Sequence, residues 1–182
     1  MLDRRHFVVL SAWPLLAKAQ DTPQLLARVR AGRCVFMLRH ARTEPGVGDP
    51  PDFMPGQCAT QRNLDATGRA QSRAAGDWFR GHGLQPSAVL SSAWCRCIDT
   101  AQLAFGRHEP WPPLDSSFGR GNTRDEARPL LQSRLAGIGA GRFEVWVTHQ
   151  VNISAFTGEA TAMGEGLWLD AKGAVLGRSS FA

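Results

Sequence analysis

The apolar run Cys34-Val35-Phe36-Met37-Leu38 passes directly into Arg39-His40-Ala41-Arg42-Thr43. A short run rich in Val and Phe reads as a buried strand. In open α/β sheets, ligands bind beyond the carboxyl ends of the strands. The run therefore delivers an arginine and a histidine to the place where such sheets do chemistry. A neutral imidazole is a nucleophile near pH 7. A guanidinium beside it grips a phosphate through two parallel hydrogen bonds. Together they point to attack on phosphorus by His40. The plain alternative is a structural ion pair at the sheet edge.

Two later segments weigh against that alternative. Ala88-Val89-Leu90-Ser91-Ser92-Ala93-Trp94-Cys95-Arg96 reads as a strand, a small-residue turn and a helix opening near Arg96. Exposed N–H groups at a helix start favour anions, and an arginine there adds full charge. Phe143-Glu144-Val145-Trp146-Val147-Thr148-His149-Gln150 is another apolar strand, ending in a histidine. Three strands thus each end in a side chain suited to phosphate.

Helices are predicted between them. Residues 21–32 form one, with Thr22 as cap, Pro23 in the first turn and Gly32 at the end. Residues 67–82 form an amphipathic helix with Ala70, Ala74, Trp78 and Phe79 near one face, and His82 as a cap residue at its end. Further helices are expected at 96–105, 123–137 and 151–156. His108 falls in a proline-rich turn and receives no role. The tail 166–176 reads as a hairpin turning at Lys172-Gly173. Residues 44–62 hold four prolines and three glycines, a long loop of the functional kind. No Gly-Lys-Ser/Thr follows, so it is not a nucleotide phosphate loop. The alternation of strands and helices predicts an α/β fold with a mostly parallel sheet flanked by helices.

A chain of 182 residues with 43% hydrophobic and 20% charged residues supports one domain with a proper core. The formal charge of +5 is spread out. It favours anionic substrates, and without a basic run interleaved with aromatics it gives no support to nucleic-acid binding. Residues 1–19 are read as an export signal: Arg4-Arg5, a short apolar stretch, then Ala17-Lys18-Ala19. Asp3-Arg4-Arg5-His6-Phe7 is similar to the twin-arginine motif, which exports folded proteins across the bacterial inner membrane; the general secretory route is the alternative. The stretch is too short to span a membrane. Cleavage after Ala19 leaves a single domain, 20–182, in the periplasm or medium, with no membrane span. A disulfide between Cys58 and Cys95 or Cys97 fits an oxidising compartment, and Cys34 reads as buried. The Cys-x-Cys spacing is wrong for zinc, so no metal site is expected.

Four segments carry a family resemblance: Arg39-His40-Ala41-Arg42-Thr43; Asn63-Leu64-Asp65-Ala66-Thr67-Gly68-Arg69-Ala70-Gln71; Ser91-Ser92 with Arg96 and Thr100-Ala101; and Val147-Thr148-His149. In these the chain resembles the histidine phosphatase superfamily, whose other well-known branch is the cofactor-dependent phosphoglycerate mutases. The resemblance implies a three-layer phosphoglycerate mutase-like fold and transient phosphorylation of His40. It implies a phosphate pocket of Arg39, Arg96 and His149, with Thr43 among the substrate-binding residues, and no metal or cofactor. Ala41 replaces the family's usual glycine. The general acid is the larger departure. No Leu-x-Glu follows the second arginine, and Gln150 stands where the acid branch has aspartate.

The candidate acids are Glu44, Asp49, Asp115, Asp125 and Glu126. Asp125 and Glu126 start a helix, where carboxylates are stabilising without any catalytic role. Asp49, in the proline-framed loop, is the preferred acid. About fifty residues separate Arg96 from His149, where larger relatives carry a helical cap. A reduced cap and a shallow, open site are therefore expected, suited to phosphate on a glycan, a lipid head group or a protein. The leading reading is an exported, metal-independent phosphomonoesterase. The alternatives are a phosphomutase of the same family and a non-catalytic phosphate-recognition module.

Overall fold

The computed structural model describes residues 23–118 and 123–181. The expected leader, residues 1–19, lies outside them, as does Thr22. The described residues form five helices and a six-stranded sheet. In chain order these are α1 (Pro23–Ala31), β1 (Cys34–Arg39), α2 (Ala66–Gly81), β2 (Ala88–Ser91), α3 (Cys95–Phe105), β3 (Glu109–Pro110), α4 (Thr123–Ala136), β4 (Phe143–Thr148), α5 (Gln150–Thr157), β5 (Glu165–Asp170) and β6 (Val175–Ser180). The strand order is β3-β2-β4-β1-β5-β6. The four strands β3, β2, β4 and β1 pair in parallel, and β5 and β6 add an antiparallel edge. This is the α/β, mostly parallel sheet that the alternating segments predicted, hairpin included. Asp170 closes the hairpin turn by accepting from the N–H groups of Lys172 and Ala174 at 2.8 and 2.9 Å.

The central strands are mostly apolar because helices cover both faces. Phe36, Leu38, Val145, Val147 and Trp168 face α1, α2 and α3, where Leu25, Val29, Phe79 and Ala101 meet them. Val35, Met37, Trp146, Leu167 and Leu169 face α4 and α5, meeting Leu131, Leu135, Ile153 and Phe156. Alternate residues of one strand therefore serve opposite layers. Between Arg96 and His149, α4 spends Leu131 and Leu135 on this core, and among the described residues no helix there forms a cap.

One expectation needs correction. The buried stripe of α2 is Gly68, Ser72, Ala75, Gly76 and Phe79; Ala70 is exposed and Ala74 and Trp78 are half-buried. The helix turns its glycines inward because it passes too close to its neighbours for any side chain. A Cβ on Gly68 would collide with the Arg42 carbonyl, and one on Gly76 with the Ala104 carbonyl. Asp65 caps this helix, accepting from Gly68 N–H at 2.7 Å.

Register places the site. Arg39 of β1 lies beside Thr148 of β4, and Ser91 of β2 beside Val147. The three strands thus end at one level, and His40, Ser92 and His149 follow together. Between β1 and β4, connections depart in opposite directions across the sheet, which is where a crevice opens in such folds.

Candidate active site

His40 is 3% exposed, and its Nδ1 lies 2.9 Å from the Ala41 carbonyl oxygen. A carbonyl only accepts, so Nδ1 carries the proton and Nε2 keeps its lone pair. Burial lowers the pKa from 6.5 to about 3; the Ala41 carbonyl opposes this, and the charges of Arg96, Arg39 and Arg62 add to it. The ring is therefore a neutral nucleophile throughout the physiological range. His149, the N-cap of α5, stands edge-on to it with ring centroids 5.5 Å apart. Arg96 Nη2 lies 3.4 Å from His149 Nδ1, and Ser92 Oγ lies 2.9 Å from Nε2. A guanidinium only donates, so Nδ1 accepts and Nε2–H donates to Ser92. Burial, then the nearby Arg96, pushes the His149 pKa well below its ordinary value.

Three arginines complete the floor. Arg39 ends β1 and donates to the Thr161 carbonyl at 2.7 Å and to Gln150 Oε1 at 3.3 Å. Arg96 sits in the first turn of α3, almost wholly buried. Arg62 arrives from the end of the long loop and donates to the Gly46 carbonyl at 2.6 Å. In all three, Nε is buried with no hydrogen-bond partner among the described residues. An unpaired buried N–H is costly. Burial, followed by the charge of Arg62, lowers the Arg39 pKa. Burial, followed by the charge of Arg96, lowers that of Arg62.

Asp49 is the counter-charge. Its Oδ1 accepts from Arg96 Nη1 at 2.7 Å and from Arg62 N–H at 3.1 Å, and its Oδ2 accepts from Trp94 Nε1 at 2.9 Å. Burial alone would raise its pKa, but the Arg96 guanidinium and these donors hold it below the usual carboxylate range. With both histidines neutral, two positive charges on the floor stay uncompensated, the charge of a phosphoryl dianion reversed.

The loop is a wall. It folds back over the crevice and, with Phe118, lines an open cavity of about 520 Å³. The Cys58–Cys95 disulfide ties this loop to the start of α3, next to Arg96, and Gln61 Oε1 accepts from Cys95 N–H at 3.0 Å. Cys34 and Cys97 are free and buried. The bridge spans 37 residues, so removing it with Cys58→Ser/Cys95→Ser should cost about 3–4 kcal/mol by loop-closure entropy. Urea denaturation of the variant and the parent measures this; equal midpoints would contradict it.

Of the sequence-predicted residues, the fold brings His40, Arg39, Arg96, His149 and Asp49 to this cavity. Thr43 is not among its lining residues: it is buried in a bridge with Leu64 and turns its hydroxyl to Met163 Sδ at 3.7 Å. Asp115 accepts from Ala93 N–H at 2.8 Å and so shapes the turn before Arg96. Glu44 is exposed, and Asp125 and Glu126 lie in the first turn of α4; none of these carboxylates lines the cavity. Arg62 was missed by the sequence reading. Its signal is its place directly before Asn63-Leu64-Asp65, at the end of the loop that folds over the site.

The buried histidines make stability depend on pH. Unfolded His40 takes a proton below about pH 6.5, whereas folded His40 stays neutral down to about pH 3. The unfolded state binds more protons in that window, so stability falls as pH drops through it. The lowered Asp49 pKa acts in the same sense, its contribution disappearing as pH falls through the folded value. The melting temperature should decline from pH 7 toward pH 4, and His40→Ala should flatten that decline. A profile unchanged by the substitution would contradict this assignment.

Two neutral histidines and three arginines thus line a crevice at the end of a mostly parallel sheet, an arrangement suited to an anion. A family model described as the histidine phosphatase superfamily (branch 1) matches residues 35–117, and the helix-flanked six-stranded sheet is the phosphoglycerate mutase-like fold. No curated protein matches it significantly in sequence. Among solved structures, the protein histidine phosphatase SixA complexed with tungstate superposes with a TM-score of 0.58 at 18% identity, covering 81% of this chain and 96% of that one. A putative phosphohistidine phosphatase SixA from Agrobacterium tumefaciens gives 0.58 at 18%, covering 81% and 97%. A mycobacterial glucosyl-3-phosphoglycerate phosphatase gives 0.56 at 19%, covering 76% and 92%.

Proposed function

We propose that the chain is a metal-independent phosphomonoesterase working through phosphohistidine at His40. The observation that carries this reading is the His40 Nδ1–Ala41 bond, which leaves Nε2 free in a cavity that Arg39, Arg62 and Arg96 also line. A recognition module needs the arginines but has no use for an imidazole poised in this way. Three guanidiniums supply the positive charge that a loose phosphoryl-transfer transition state requires.

A phosphomonoester monoanion carries its own proton into the site. As its oxygens take over the Arg96 donors, Asp49 loses a cationic partner and gains an anionic neighbour, and both changes raise its pKa. The proton passes to Asp49. Nε2 attacks phosphorus in line: the P–N bond forms, the P–O bond to the alcohol breaks, and Asp49 protonates the departing oxygen. The Asp49 carboxylate then takes a proton from water, whose oxygen attacks phosphorus. The P–N bond breaks with its electron pair returning to Nε2, and phosphate leaves.

Brief incubation with a 32P-labelled ester should leave acid-labile, base-stable label on His40. Turnover without any such label would overturn the mechanism. Asp49→Asn should slow an alkyl phosphate by about 10²–10⁴-fold, the usual worth of a positioned acid. It should change p-nitrophenyl phosphate little, because that leaving group needs no proton. Equal effects on the two substrates would remove Asp49 from this role.

We also propose export to the periplasm or medium. The basic start with Ala17-Lys18-Ala19 and a disulfide beside the site support it. Fractionation of cells producing the full chain tests it, and a protein confined to the cytosol would refute it.

A further inference from the structure

The floor of the cavity is charged, and its walls are not. Above the arginines and histidines stand Val47, Pro50, Phe53, Phe118, Val151 and Met163. Val47 is 90% exposed and Phe118 58% exposed, among the few large apolar side chains so placed in the described residues. They come from separate segments that approach at the cavity: a Cβ on Gly48, next to Val47, would lie 3.7 Å from Phe118 Cε1. Apolar surface left in water at the mouth of a site is a standing cost that a ligand relieves. The polar side chains of the wall are already engaged. Gln150 accepts from Arg39 and from Thr161 through Oε1 and donates to Ser154 through Nε2. Ser116 Oγ accepts from Phe118 N–H. A sugar ring seated here would lose hydrogen bonds to water without replacing them.

We propose that this site takes phosphomonoesters of apolar alcohols, with an aryl or branched alkyl group against Val47, Phe53 and Phe118. The inference rests on the phosphomonoesterase reading for its chemistry and on the wall residues for its selectivity. The cavity, about 520 Å³, falls in the range of small-molecule sites and holds a phosphoryl group together with a ring or branched chain.

Alkylphosphonates test the selectivity without turnover, because their P–C bond is not hydrolysed. Calorimetry on the purified full domain with methyl-, propyl- and hexylphosphonate should show affinity rising about two- to threefold per methylene. That is a partial share of the roughly fourfold that complete burial of a methylene gives. In the Val47→Ser/Phe118→Ser protein the slope should flatten, with hexylphosphonate losing more than methylphosphonate. Affinity independent of chain length, or tighter binding of glycerol 3-phosphate than of propylphosphonate, overturns the inference while leaving the phosphatase reading intact. A rising slope without phosphohistidine formation supports the inference and overturns the enzyme. Failure of every phosphonate to bind overturns both.

Discussion

The His40→Ala protein is expected to fold and to lose turnover by about 10⁴–10⁶-fold, the scale seen when a covalent nucleophile is removed. The loss is of one bond-forming atom, Nε2, which no neighbour replaces: His149 Nδ1 faces Arg96 and its Nε2 is committed to Ser92. The fold should survive because the ring lines the cavity rather than filling the core. Its hydrogen bond to the Ala41 carbonyl is worth about 1 kcal/mol. Steady-state kinetics on an activated aryl phosphate, paired with a urea denaturation curve, separates the two effects. Undiminished turnover would refute the assigned nucleophile.

Arg96→Ala should fail twice. Losing a charged donor to the transferring group costs about 10²–10³-fold in turnover. The same change strands Asp49. The two side chains are 4% and 7% exposed and their ion pair is 2.7 Å long. Removing one partner of such a pair destabilises by about 3–5 kcal/mol, because the other charge stays buried and uncompensated. Adding Asp49→Asn removes that charge, so the double variant should recover most of the stability and none of the activity. A double variant no more stable than Arg96→Ala would show that the ion pair is not what holds the loop to α3.

What the sequence made legible was local. An apolar run that stops at Arg39 or His149 announces both the strand and the residue at its end, so β1, β2 and β4 and the side chains they deliver were readable. The hairpin was readable for the same reason, from Lys172-Gly173 between two apolar stretches. What resisted were contacts with no local mark. Asp49 was preferred as the acid for its place in the proline-framed loop, but its pairing with Arg96 across 47 residues has no local mark. Arg62 belongs to that loop and shared its obscurity. Of the face read for α2, Phe79 is buried and Ala74 and Trp78 pack against the core, and only Ala70 is turned out; that close approach to Arg42 and Ala104 requires glycine at Gly68 and Gly76 had no local mark. Thr43 was placed by resemblance, and its neighbours Leu64 and Met163 come from distant segments.

The register between β1 and β4 has a consequence for how such a protein diversifies. Arg39 and Thr148 are neighbours in a parallel ladder buried on both faces. Slipping either strand by one residue would turn its whole apolar set the wrong way. His40 and His149 are therefore held as a fixed pair by the packing of the core rather than by their own contacts. The loop 44–62 hangs from the end of that rigid pair and from the cap of α2, and it owes the core nothing comparable. Mutation can lengthen it, shorten it or change its walls while the floor of arginines and histidines stays in place.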